Sequence, residues 1–116
     1  MATRPVRGHV YLNTAGDDKV VFRAKGDTVG KVTVTEQGND TPTIRIARAL
    51  RSENNRQLSN YIVRSLTLTA YQVYECPVKI TMRKGDVVTV EMPVAGVAGP
   101  PATGAVSANF EGLQKT

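Results

Sequence analysis

Short runs of alternating Val, Thr and Ile, cut every few residues by Gly, Pro, Asn or Asp, leave this chain few ways to fold. β-branched residues suit a pleated, half-buried surface, and a period of two places one face inward and the other outward. The cleanest case is Lys31-Val32-Thr33-Val34-Thr35. Residues 9–13 read as a first strand, and Ala15-Gly16-Asp17-Asp18 as a turn that brings residues 19–24 back as its hairpin partner. Gly38-Asn39-Asp40-Thr41-Pro42 is the strongest turn signal. Residues 43–50 and 60–73 follow as two long strands joined by a polar knot. After Glu75-Cys76-Pro77, residues 78–82 and 87–92 alternate again around Arg83-Lys84-Gly85-Asp86, which is a tight turn or a bulge within one strand.

The middle section has a helical rival, because Ile46, Leu50, Leu58, Ile62 and Leu66 share a four-residue spacing. Asn54 interrupts that stripe, and Ser52, Asn55, Ser59 and Asn60 prefer turns or caps to helix interiors. The hairpin is therefore preferred. The chain changes character at residue 95: eight of the fifteen residues from Ala95 to Asn109 are Gly or Ala, none is charged, and Pro100-Pro101 lies among them. That composition predicts an extended arm over residues 95–116, lying on another subunit or free as a terminus, attached to a sheet domain over residues 1–94.

Charge is concentrated. Between Arg45 and Arg64 five arginines face one acid, Glu53, so this stretch supplies net +4 of the chain's formal +5. Around the knot Arg51-Ser52-Glu53-Asn54-Asn55-Arg56-Gln57, a cationic strand face either meets a polyanion or simply keeps a sheet solvated. A sequence pI of about 9.7 agrees with an acidic partner. With no Trp, two Phe and four Tyr, the chain is poor in stacking platforms for single strands.

Conventional catalysis finds little support. His9 is the single histidine and Cys76 the single cysteine, so neither a His/Cys metal cluster nor a Ser-His triad is predicted. His9 reads as a surface imidazole, and Cys76 as a small apolar filler before Pro77. Gly26-Asp27-Thr28-Val29-Gly30 lacks the Lys-Ser/Thr of a phosphate loop. The carboxylates are scattered or sit in turns. No enzyme activity, cofactor or metal is expected, and with no long apolar run or leader-like start the chain is expected to be soluble and made inside a cell.

The order of elements over roughly residues 8–94 resembles the coat proteins of single-stranded RNA bacteriophages. Val10-Tyr11-Leu12-Asn13-Thr14-Ala15-Gly16-Asp17 through Val20-Val21 is similar to that family's opening hairpin. Residues 49–57 followed by Tyr61 resemble its basic connection between central strands, and Glu75-Cys76-Pro77-Val78 with Val88 to Pro93 its Pro-containing loop and last strand. The resemblance implies an N-terminal β-hairpin plus a five-stranded antiparallel sheet, with the Gly/Ala/Pro-rich arm replacing the family's terminal helices. It further implies homodimers joined edge to edge, an icosahedral virion assembled in a bacterial cytoplasm, and single-stranded RNA held on the inner sheet face. By that resemblance Arg51, Asn55 and Arg56 fall in the RNA-contacting connection, Arg45 and Arg64 on inward strand positions, and Arg83 and Lys84 near a base-stacking position that here has no aromatic. Two alternatives stand beside it: a small β-barrel binding single-stranded nucleic acid, and a phage head decoration protein.

Overall fold

The computed structural model describes residues 2–13, 16–39, 41–49, 61–92 and 105–116, with the backbone alone at Arg64. Among them lie nine strands and no helix: β1 Thr3–Leu12, β2 Asp18–Arg23, β3 Thr28–Glu36, β4 Thr43–Ala49, β5 Tyr61–Thr67, β6 Val73–Glu75, β7 Ile80–Met82, β8 Val87–Glu91 and β9 Val106–Lys115. They form two antiparallel sheets, β1-β9-β3-β6 with β7 also on β3, and β2-β8-β4-β5.

β6 and β7 pair with successive stretches of β3, Thr33–Thr35 and Thr28–Gly30. They are one strand interrupted at Pro77, and the Cys76 amide still donates to the Val32 carbonyl at 3.0 Å. Counted so, the described residues form eight strands, pairing first with last, second with seventh, third with sixth and fourth with fifth. An antiparallel ribbon rolled up in that way is a jelly roll. Apart from the β4–β5 link, every connection between these eight passes from one sheet to the other.

Local chemistry matches this path. In β3 the even residues Val32, Val34 and Glu36 are buried while Val29 and Lys31 are exposed. Between β7 and β8 a four-residue turn closes with the Asp86 amide donating to the Arg83 carbonyl, 2.9 Å, while the Asp86 carboxylate accepts from the Arg83 amide, 2.9 Å. Gly85 takes φ 94°, which L side chains rarely adopt. The Arg83–Asp86 segment is therefore a turn, and it carries the chain between sheets. The preferred middle hairpin also forms, since β4 pairs antiparallel with β5 from Thr43↔Thr67 to Ala47↔Tyr61.

Three expectations are corrected. β2 is not the hairpin partner of β1: β1 pairs with β9 and β2 with β8. The turn near Gly16 takes the chain to the opposite sheet. In place of one hairpin plus a five-stranded sheet there are two packed sheets, because a sheet with one apolar face needs a covering layer. The arm expected over residues 95–116 is not what residues 106–115 form: they are strand β9. In it Val106, Ala108, Phe110 and Gln114 point inward with almost no exposure, and β9 lies centrally between β1 and β3. The Gly/Pro density that suggested an arm ends at Gly104, and the next residues alternate as a strand must.

Between the sheets, Leu12, Val32, Val34 and Phe110 meet Ile44, Ile46, Val88, Val90 and Met92. Phe110 of β9 stacks on Phe22 of β2, with centroids 4.6 Å apart and planes at 16°. The glycines around it are spatial requirements. A Cβ on Gly30 would strike the Phe110 ring, and one on Gly8, opposite Phe110 in the β1 ladder, would strike the Val21 carbonyl where β2 crosses. Gly8→Ala should therefore lower the unfolding free energy by about 2–3 kcal/mol, as overpacking against backbone does. Urea melts followed by circular dichroism check this; a loss under about 0.5 kcal/mol, the size of a neutral surface change, would show that the crossing has slack.

Candidate assembly and polyanion surfaces

Of the predicted site residues, only Arg45, Arg83 and Lys84 have described side chains, and Arg45 lies apart from the other two. Arg45 lies on the outward face of β4, directly opposite Glu91 of β8. Its guanidinium meets the Glu91 carboxylate at 3.4 Å and stands 5.8 Å over the Tyr61 ring. An incoming phosphate would compete with Glu91 for it. Arg83 and Lys84 occupy the exposed turn before Val87, at the other end of β8, four residues or about 13 Å along the strand from Glu91. Arg64 lies in β5, and Arg51, Asn55 and Arg56 lie outside the described residues. Arg48, given no role by the sequence, donates to the Thr81 carbonyl at 2.8 Å and ties β4 to β7 across the two sheets. Its three-residue spacing from Arg45 places the two on opposite faces of the strand.

A functional arrangement that the sequence reading missed lies where three connections meet. Glu36 is buried at the end of β3, and its carboxylate accepts from the Gly38 amide at 3.0 Å, the Tyr71 amide at 3.3 Å and the Ala105 amide at 3.3 Å. One side chain thus holds the exit of β3, the turn after Leu68 and the entry to β9. The turn it holds contains Tyr71, exposed, with φ 60°. That is costly for a bulky residue and persists only where neighbours fix it. The signal was present: Glu36 shares the buried parity of Val32 and Val34.

The single histidine is exposed on β1, as a surface imidazole is, and its Nε2 lies 2.8 Å from the Ser107 hydroxyl across β1 and β9. Cys76 is buried in the core, and burial, with a smaller contribution from Cys76, raises the Tyr74 phenol above its ordinary value of 10.0. Among the described residues no three His, Cys, Asp or Glu side chains are grouped to hold a metal ion.

The outward face of the first sheet exposes residues from all of its strands. Its cross-strand rows read Pro5–Leu113–Val29, then Arg7–Glu111–Lys31, then His9–Asn109–Thr33–Glu75, then Tyr11–Ser107–Thr35–Val73. Four of the seven exposed large apolar residues among those described are here: Leu113 at 55%, Val29 at 44%, Tyr11 at 42% and Val73 at 59%. Among the described residues Arg7, Lys31 and Glu111 make no ion pair within the chain.

With this geometry established, comparison with solved structures is informative. The fold is similar to a chain in the acid-stable capsid structure of Helicobacter pylori bacteriophage KHP30, with TM-score 0.60 and 11% identity over 99% of this chain and 95% of that one. It is also similar to a chain from the disulfide-linked pili that are Bacillus endospore appendages, with TM-score 0.54 and 10% identity over 97% and 88% of the two chains. A chain of an IBDV viral particle aligns with TM-score 0.51 and 10% identity, covering 98% of this chain and 36% of that one. At such identities the likeness shows the fold, a viral-capsid-like jelly roll. No protein-family model and no curated protein matches the chain by sequence.

Glu36→Ala should cost at least about 3 kcal/mol of stability, because it leaves three backbone donors without their charged acceptor. Thermal melts measure the loss, and amide exchange at Gly38, Tyr71 and Ala105 should quicken. Unchanged exchange at all three would remove Glu36 from this role.

Proposed function

We propose that this chain is a structural subunit of a viral shell, a capsid protein whose copies associate into a closed particle in the virion. The observation that carries the reading is the jelly-roll topology, shared over nearly the whole length of both chains with a bacteriophage capsid structure. A jelly roll of this size has its one core filled, so its surfaces are what remain for function. A filament of the disulfide-linked kind is the weaker reading. This chain's one cysteine, Cys76, is 1% exposed within the core, and linking copies through it would require opening the sandwich.

Contact with nucleic acid belongs to the same proposal and rests on charge. The chain carries net +5, and residues 45–64 supply +4 of it. Single-stranded RNA packaged in the shell would be held mainly through phosphates, with Arg51, Asn55 and Arg56 as the residues to test. Arg45 is the weaker candidate, because Glu91 already neutralises it. The continuous inner sheet implied by the RNA-phage resemblance is no part of the proposal, since the sheets pack on each other.

Expressed alone and purified, the protein should elute as large particles that electron microscopy resolves as closed shells. A small oligomer without particles under all assembly conditions would overturn the reading. Arg51→Ala with Arg56→Ala should lower the nucleic-acid absorbance of those particles while the circular dichroism spectrum is kept. Each lost phosphate contact should also flatten the logarithmic salt dependence of RNA binding by about one unit. Unchanged nucleic-acid content would take both residues out of the contact.

A further inference from the structure

We propose that the outward face of the first sheet binds the same face of a second copy, about a two-fold axis that runs along the strands between β9 and β3. The proposal takes its occupant from the shell-subunit reading; the geometry comes from the register. Such an axis lays β9 on β3 of the second copy, and β1 on its β6–β7 strand, while each row stays at its own level.

The rows near the axis then meet complements. Glu111 faces Lys31 of the second copy, and Lys31 faces its Glu111, so two ion pairs form at the axis from charges that make no ion pair among the described residues. On one side of them Leu113 faces Val29 twice. On the other side Tyr11 of β1 faces Val73 of β6, again twice, and in the row between, His9 faces Glu75. The four most exposed apolar groups of this face are thereby covered, and its central charges are paired. A like-charge approach, Arg7 towards Lys79, falls at the rim, where both are exposed and water and salt screen them.

The size is adequate. Four strands by ten residues present a face of about 19 Å by 33 Å, close to the roughly 800 Å² per partner of an ordinary stable interface once side-chain relief is included. Two sheets of one twist pack with strand directions within about 30° of each other, which an axis along the strands permits.

The charge pair supplies the test. Glu111→Lys and Lys31→Glu each place like charges at the axis and should weaken association roughly tenfold or more, read by sedimentation velocity. Either reversal also disturbs its own cross-strand neighbour, so the decisive sample is an equimolar mixture of the two variants. In a mixed pair every central contact is again opposite in sign, and dimers should reappear. A mixture that sediments as two separate monomers, or single variants that associate as tightly as the unaltered protein, would overturn the proposal.

Should either reversal fail to fold, Leu113→Arg serves, because that side chain is already exposed and its melting temperature should hold while association is lost; unchanged association would again refute the contact. Imaging separates this inference from the shell reading. Closed particles built from a single-charge variant sink the face contact alone. Mixed variants that pair, beside unaltered protein that never closes a particle, sink the shell alone.

Discussion

Burial of one apolar sheet face by the other is the constraint on which this protein depends, and the Phe22–Phe110 stack is its centre. Each sheet is apolar on the inside, and among the described residues no helix is present to cover either. The sheets must therefore cover each other, and the two rings are the bulkiest groups that do so across the gap. Room for them comes from missing side chains: Gly30 clears the Phe110 ring, and Gly8 lets β2 cross close to β1. An aromatic on one strand and glycines on its neighbours thus set the depth of the sandwich and the angle at which the ribbon rolls.

What the sequence made legible was local. The period of two in β3, the Asn/Gly punctuation after Gly38 and the glycine of the Arg83–Asp86 turn are short-range signals, and each marks its element. Strand pairing is long-range. Nothing near β1 indicates that its partner begins about a hundred residues later, so the nearest strand, β2, was the natural candidate. β9 was hidden for a compositional reason: residues 95–104 are Gly-, Ala- and Pro-rich, and that character was extended into Val106 and Phe110, whose alternation is the true signal.

The site was less legible than the fold, because charge counted along a chain ignores pairing across it. Arg45 looked available from its neighbours in sequence, yet the register places Glu91 directly opposite. Arg48 looked like a fellow cation and instead bonds to a backbone carbonyl on the other sheet. Glu36 could have been found by parity alone, as a carboxylate in a position where its strand buries side chains. Such a group requires donors, and it takes them from three backbone segments at once. Buried carboxylate and strained tyrosine therefore belong together: the first supplies the constraint that lets the second keep its φ of 60°.

The proposed face-to-face association rests on the contrast between the edge of the first sheet and its face. β1 is a ten-residue edge strand, and an open edge of that length is a template for adding another strand. It carries Arg4, Pro5 and Arg7 in its first half: two exposed charges and a residue with no amide to donate. These are devices that discourage edge-to-edge pairing. The adjoining face carries no such deterrent at its centre, where apolar rows bracket opposite charges that make no ion pair among the described residues. A sheet guarded along its edge and complementary to itself across its face is suited to the layered association proposed above; the second sheet offers no equivalent, because around its Arg45–Glu91 pair the outward positions Ala47, Ala49, Val87 and Thr89 are already buried within the chain.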